Sequence, residues 1–314
     1  MECCDLESLV LSDCANISDA GLEQLAGSYA VQSGREQGDG STQDVSLDFS
    51  GCPNIDDSSF ATLTRQSLPG EALLGIQELR LSDCWRVSDA LLANLAANGT
   101  LCRLQVLDLS HMTLLNPGRG RSDAAAGIAQ ALCAAVSAAG KHLRDLNLDD
   151  AQVSEDVLMA IGQKCSQLES LSLIGCRPLS NAGLESVAGG CPELTKLSVG
   201  GPSFHWREDK GLAAFRGLKH LTISRRTTLC TDSSLIKVLQ QHPELESFRL
   251  CMSSAVTDRA LEALPASSLR SLCLVACDAV QGHSISRLRT LEELRLSSCT
   301  CFSQDAVQFN QRDL

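Results

Sequence analysis

The sequence predicts an α/β solenoid: a right-handed horseshoe of strand–turn–helix units, with parallel strands on its concave side and helices on its convex side. Three observations lead there. Leu-x-x-Leu-x-Leu, or a close variant, recurs eleven times along the 314 residues. A fixed register of apolar residues follows the strand segment in several copies, and a Ser or Thr with an acidic or amide neighbour precedes the helical segment in seven.

Each unit opens with a strand. The copies begin at Leu6, Asp44, Ile76, Leu104, Leu143, Leu168, Leu194, Leu218, Leu245, Leu269 and Leu291. Leu-x-Leu alternation sends every second side chain to one face, which makes a short strand with a buried side. The wider spacings fall in the first half and place longer insertions near 26–43, 64–75 and 113–142.

The turn comes next. Three residues after the last strand leucine, a cysteine stands at 14, 52, 84, 176, 277 and 299, replaced in the other copies by Met112, Ala151, Pro202, Arg226 and Ser253. This is an inward position that suits a small group able to pack and to make a weak S–H contact to backbone. These thiols therefore read as core residues and not as nucleophiles.

The helix follows. Counting from the cysteine, apolar residues at plus 3, plus 8 and plus 11 are Ile55, Phe60 and Leu63, then Val87, Leu92 and Leu95, then Leu179, Leu184 and Val187. The spacing of three puts two of them on one side of a helix. Ser18, Ser88, Ser154, Ser180, Thr231, Thr257 and Ser303 stand at the N-cap, where a side-chain oxygen satisfies a free N–H and contributes ~1 kcal/mol. Single units cannot bury their apolar faces alone, so they stack, and because strands lie closer together than helices the stack curves. The expectation is one repeat domain over residues 1–314, of about eleven repeats.

Two stretches depart from the unit. Gly118 to Gly127 is glycine-rich between a strand and a helix, but Asp123 stands where a dinucleotide loop needs its third glycine, so it reads as an elongated loop leading into an Ala-rich helix. In repeat seven, Gly200-Gly-Pro-Ser-Phe-His205-Trp206-Arg207 replaces the cysteine turn. Trp and Arg are enriched at interaction hot spots, which makes His205, Trp206 and Arg207 a candidate partner anchor. The other reading is that Phe204 and Trp206 plug the gap left by the missing turn.

The unit resembles the cysteine-containing leucine-rich repeat of the F-box/LRR, ribonuclease-inhibitor-like type. The resemblance rests on the leucine strand, the cysteine turn, the Ser-Asp or Ser-Asn cap, and the link Gly190-Cys191-Pro192-Glu193-Leu194 with its variants Lys164-Cys165-Ser166-Gln167-Leu168 and Gln241-His242-Pro243-Glu244-Leu245. It implies a protein-interaction scaffold that recognises targets for an SCF-type ubiquitin ligase, leading to ubiquitination and proteasomal degradation. It also implies a Skp-type adaptor as a second partner, held through a segment absent from this chain. No F-box is visible, because repeat one already starts at Leu6. The alternative is a regulatory or structural subunit of a non-ligase assembly, such as a DNA-damage recognition or cytoskeletal complex.

Composition narrows the function classes. The net charge is −12, with residues 1–157 at −14 and residues 158–314 at +2. An acidic half repels phosphate backbones, so nucleic acid is not expected as the main partner, and a basic protein surface suits it better. No run of eighteen apolar residues argues for a membrane span, and the N-terminus lacks the build of a secretion signal. Sixteen cysteines in a chain with this much core read as reduced thiols, which places the protein in the cytoplasm or nucleus. The common metalloprotease, nucleophile-elbow and P-loop signatures are missing, so the expectation is no enzyme, no cofactor and no metal site.

Function is then expected on the concave strand face. Its central outward position reads Val10, Asp48, Arg80, Asp108, Asn147, Ser172, Ser198, Thr222, Arg249, Cys273 and Arg295. Asp149 adds to an acidic zone with Asp48 and Asp108, and His220 and Arg225 join Arg249 and Arg295 in a basic one. Either the surface simply carries solvated charge, or it forms a dipolar groove that orients a protein target.

Overall fold

The computed structural model describes residues 8–17, 44–60, 75–112, 122–177, 179–201, 210–224 and 230–303. The insertion near 26–43, that near 64–75 but for Gly75, and residues 113–121 of the third lie outside them; in the Gly118–Gly127 stretch the described part, Ser122–Gly127, already belongs to a helix rather than to an elongated loop. All eleven expected strands are present: β1 (Ser8–Val10), β2 (Asp44–Asp48), β3 (Gly75–Arg80), β4 (Val106–Asp108), β5 (Asp145–Asn147), β6 (Ser170–Ile174), β7 (Lys196–Gly200), β8 (His220–Ser224), β9 (Ser247–Cys251), β10 (Ser271–Val275) and β11 (Glu293–Ser297). The helices are α1 (Asp89–Ala97), α2 (Ser122–Ala139), α3 (Glu155–Lys164), α4 (Asn181–Gly190), α5 (Lys210–Ala213), α6 (Asp232–Gln240) and α7 (Asp258–Leu261).

The chain divides into two units, Met1–Leu168 and Glu169–Leu314. In the first, β1 to β5 pair in parallel and in chain order, and α1 packs on α2 and α2 on α3. In the second, β6 to β11 do the same, with α4 on α5 and α6 on α7. This is the α/β leucine-rich-repeat fold. The inward strand residues, such as Leu79, Leu81, Leu107 and Leu109 in the first unit and Leu221, Ile223, Phe248 and Leu250 in the second, are fully buried beside helix residues Leu92, Leu95, Leu184 and Val187. Deleting one such leucine side chain would cost about 2–5 kcal/mol.

The caps form as expected wherever the helix start is described. Ser88, Ser154, Ser180, Thr231 and Thr257 each accept an N–H of the first helical turn. The helices that Ser18 and Ser303 would open lie outside the described residues. Carboxylates then tie one repeat to the next. Asp57 accepts the Ser88 N–H at 2.8 Å, and Asp232 accepts the Thr257 N–H and hydroxyl at 2.7 and 2.6 Å. Asp258 accepts the N–H groups of Gln281 and Gly282.

The cysteine turns stitch neighbouring repeats together. The thiols of Cys52 and Cys84 donate to the Leu11 and Phe49 carbonyls at 3.0 Å, and those of Cys277 and Cys299 reach Leu250 and Leu274 at 3.5 Å. The residue before the cysteine position takes a left-handed backbone in every described repeat: Asp13, Gly51, Asp83, His111, Asp150, Gly175, Gly201, Met252, Ala276 and Ser298 all have positive φ. For a residue other than glycine this costs about 1–2 kcal/mol. What it gains is a ladder bond to the following repeat, as when Asp13, Gly51, Met252 and Ala276 donate to Ser50, Ser82, Val275 and Ser297.

Repeat seven adds a second positive-φ residue one position earlier. Gly200 has φ +146°, and a Cβ there would lie 1.8 Å from the Ser224 carbonyl oxygen. Only glycine allows the two backbones to come this close.

Candidate partner-binding surface

Strand register sets what each unit displays, because parallel pairing lines up the outward residues side by side. In the first unit Val10, Asp48, Arg80, Asp108 and Asn147 form one lateral row, and Ser8, Ser46, Glu78, Val106 and Asp145 form the row before it. In the second unit the corresponding rows are Ser172, Ser198, Thr222, Arg249, Cys273 and Arg295, preceded by Ser170, Lys196, His220, Ser247, Ser271 and Glu293.

The acidic row of the first unit is partly occupied with its own backbone. Asp48 and Asp108 each accept the N–H two residues on, at 2.9 Å from Ser50 and Ser110, and Asn147 does the same for Asp149 at 3.1 Å. Such side-chain turns close the strand ends. Burial works against the Asp48 charge, but the Ser50 and Ser12 contacts and Arg80 outweigh it and hold the carboxyl below its usual value. Arg80 lies between Asp48 and Asp108 and pairs with Glu78 on its own strand, and Glu78 also accepts the Ser46 hydroxyl at 3.1 Å. Burial opposes the Arg80 charge, yet the Glu78 bond and the surrounding carboxylates hold its pKa above that of an ordinary arginine. Asp149 is half-buried, and its carbonyl accepts the His111 N–H at 2.9 Å. His111 in turn meets Asp150 at 2.8 Å.

The second unit is basic with one neutralised member. Arg295 binds Glu293 at 2.6 Å, and Glu293 also accepts the Ser271 hydroxyl at 2.8 Å. These contacts hold the Glu293 carboxyl below its usual range. Arg249 is exposed, and among the described residues it has neither an ion pair nor a hydrogen bond. His220 is half-buried; burial and the cations Lys196 and Lys219 push its pKa down against the pull of Glu246, so at neutral pH it adds an uncharged imidazole to this face. Cys273, outward by register, is nevertheless covered.

His205, Trp206, Arg207 and Arg225 lie outside the described residues. The sequence reading, centred on one row with His220 and Asp149 added, missed Glu78, Glu293 and Lys196. All three stand two residues before a row member, and the period of two along a strand puts them on the same face. Met252, half-exposed in the turn after β9, was also missed.

The described residues offer little reactive chemistry. They contain no group of three or more His, Cys, Asp or Glu placed to hold a metal ion. Burial pushes the Cys84, Cys191 and Cys277 thiols up to about 12, which keeps them protonated. No described helix is long and apolar enough to cross a membrane.

A family model described as Leucine Rich repeat matches residues 2–26. Among solved structures, the chain is similar to one from the complex of Rad7 and Elc1 in yeast, at 21% identity and a TM-score of 0.47, over 70% of this chain and 56% of that one. It is also similar to the leucine-rich repeat-containing protein LegL7 of Legionella pneumophila, at 14% identity and a TM-score of 0.47, covering 92% and 90%. A third similar structure is a chain of the TLR13–ssRNA13 complex, at 16% identity and a TM-score of 0.36, covering 81% and 41%. The chain thus spans just over half the length of the Rad7–Elc1 chain. Likeness this distant says nothing of what the present chain binds.

Proposed function

We propose that this chain is a non-enzymatic recognition scaffold that holds a protein partner on its strand faces, and that it serves as the target-binding part of an SCF-type ubiquitin-ligase receptor. The observation that carries the scaffold reading is the register: parallel pairing sets the outward side chains of five strands in the first unit and six in the second into lateral, mostly polar rows. A charged, regularly spaced strand surface matches an extended or folded protein better than a small molecule, which needs a pocket with converging groups. The buried, protonated thiols support the non-enzymatic part. The ligase assignment is carried by the resemblance of the repeat unit and its Cys-Pro link, and a Skp-type adaptor would then join through another segment.

Affinity purification of the full chain from cells tests both levels. A Skp-type adaptor and a cullin should co-purify in amounts that follow the bait. Recovery of a defined assembly lacking both would reject the ligase role and favour a regulatory or structural subunit of a DNA-damage recognition or cytoskeletal complex.

A further inference from the structure

Unit two ends its strand face in a combination that the fold itself does not use. Arg249 projects from the centre of β9 in the row between Thr222 and Cys273, exposed and unpaired among the described residues. Its charge is felt by Glu293, but that carboxylate is already taken by Ser271 and Arg295. Three residues on, Met252 is 50% exposed with φ +57°. At this turn position the other described repeats place Asp, Gly, His, Ala or Ser, residues that are small or polar. A long apolar side chain held in a left-handed backbone and turned to solvent adds strain and exposes hydrocarbon, and such an outlier points toward function. Between the two lies a weakly polar floor formed by Cys251, Cys273 and Val275, all half-buried or buried. Burial keeps the Cys251 thiol protonated, so the floor presents no negative charge.

We propose that this part of the second unit's strand face docks an extended acidic segment of a partner protein, a carboxylate pairing with Arg249 and a neighbouring aliphatic side chain resting on Met252. Charge complementarity selects the occupant. The described cations of the two outward rows are Lys196, Arg249 and Arg295, against the single carboxylate Glu293. A basic segment would meet an unpaired cation, whereas a carboxylate at Arg249 forms the bidentate bond the guanidinium is shaped for. Arg249 and Met252 are about 10 Å apart along the strand direction, the span of three residues in an extended partner. This inference rests on the reading of the chain as a protein-recognition scaffold.

The test is selection from a random displayed peptide library on the intact full-length chain, followed by affinity measurement on variants. Enriched peptides should carry Asp or Glu together with Leu, Ile or Met. Arg249→Glu should weaken them at least tenfold, with weakening salt dependence. Met252→Gly separates docking from folding, because glycine relieves the left-handed strain: the variant should melt at a higher temperature yet bind several-fold more weakly. Unchanged affinity in either variant overturns the proposal. So do enriched peptides that are basic and are lost on Asp108→Lys, an outcome that leaves the scaffold reading standing. A library that yields no binder at all removes both.

Discussion

In repeats two and three the turn position after the strand is filled by Cys52 and Cys84, buried residues whose thiols donate to a carbonyl of the preceding repeat. In repeat nine the same position is Ser253, equally buried, whose hydroxyl has no partner among the described residues. The link into the strand shows the same contrast. Cys165 and Cys191 fill it ahead of β6 and β7, while ahead of β9 it is His242, 1% exposed, whose ring has only a weak contact with the Leu212 backbone to set against its burial. The carbonyls of all three link residues accept an N–H three residues on, while the N–H of Cys165 and of Cys191 bonds four residues back and that of His242 three residues back. A thiol is weakly hydrated and loses little on leaving water, whereas a hydroxyl or imidazole leaves strong hydrogen bonds behind. Cysteine suits these places because its burial costs little with or without a partner.

The largest break in the pattern is in repeat seven, where Pro202 stands at the cysteine position and two glycines, Gly200 and Gly201, precede it. Gly200→Ala is expected to lose about 3 kcal/mol, from an unfavourable backbone conformation and from the collision with the Ser224 carbonyl. Urea titration reads this as a lower midpoint at unchanged slope. A loss below about 1 kcal/mol would mean that β7 and β8 can move apart easily.

His242 sharpens the comparison through pH. Burial, and secondarily Arg216, push its pKa down against the Leu212 backbone, so the folded chain holds it neutral while the unfolded chain protonates it near the ordinary value of about 6.5. The folded state therefore binds fewer protons, and its stability is full above that value and falls as pH drops through it, by at most about 1.4 kcal/mol per pH unit. His220 shifts in the same direction and is present in both proteins, so it cancels in a difference. His242→Cys should raise the melting temperature, and its advantage over the parent should widen between about pH 7 and about pH 5. A gap that stays constant with pH would show that the imidazole is not what titrates.

The parts that local pattern controls were legible in the sequence: the eleven strands, though most begin two residues after the first leucine, the cysteine turn, buried at Cys52, Cys84, Cys176 and Cys277 and half-buried at Cys14 and Cys299, and the five described caps follow from period and residue type. The left-handed residue before the cysteine was not. Asp13, Gly51, His111, Met252 and Ala276 share no chemistry, and the position is imposed by the ladder bond to the next repeat. The charge of the strand faces was half legible. Arg80 and Arg295 stood out, but Glu78 and Glu293, two residues earlier on the same face, neutralise them. Contacts such as Asp57 to Ser88 required knowing which turn lies against which, and a single repeat does not carry that information.

Ser253 gives the smallest and cleanest test of why cysteine fills the turn. Ser253→Cys is expected to gain about 1 kcal/mol, because an unsatisfied buried hydroxyl is replaced by a thiol of similar shape. Ser253→Ala separates the two parts of that gain. If removing the hydroxyl is the whole effect, alanine gains as much as cysteine; if the thiol's contact with the repeat before contributes, as the geometry of Cys52 and Cys84 implies, cysteine exceeds alanine by a few tenths of a kcal/mol. Equal or lower stability for both variants would place a partner on the Ser253 hydroxyl and remove the basis of the comparison.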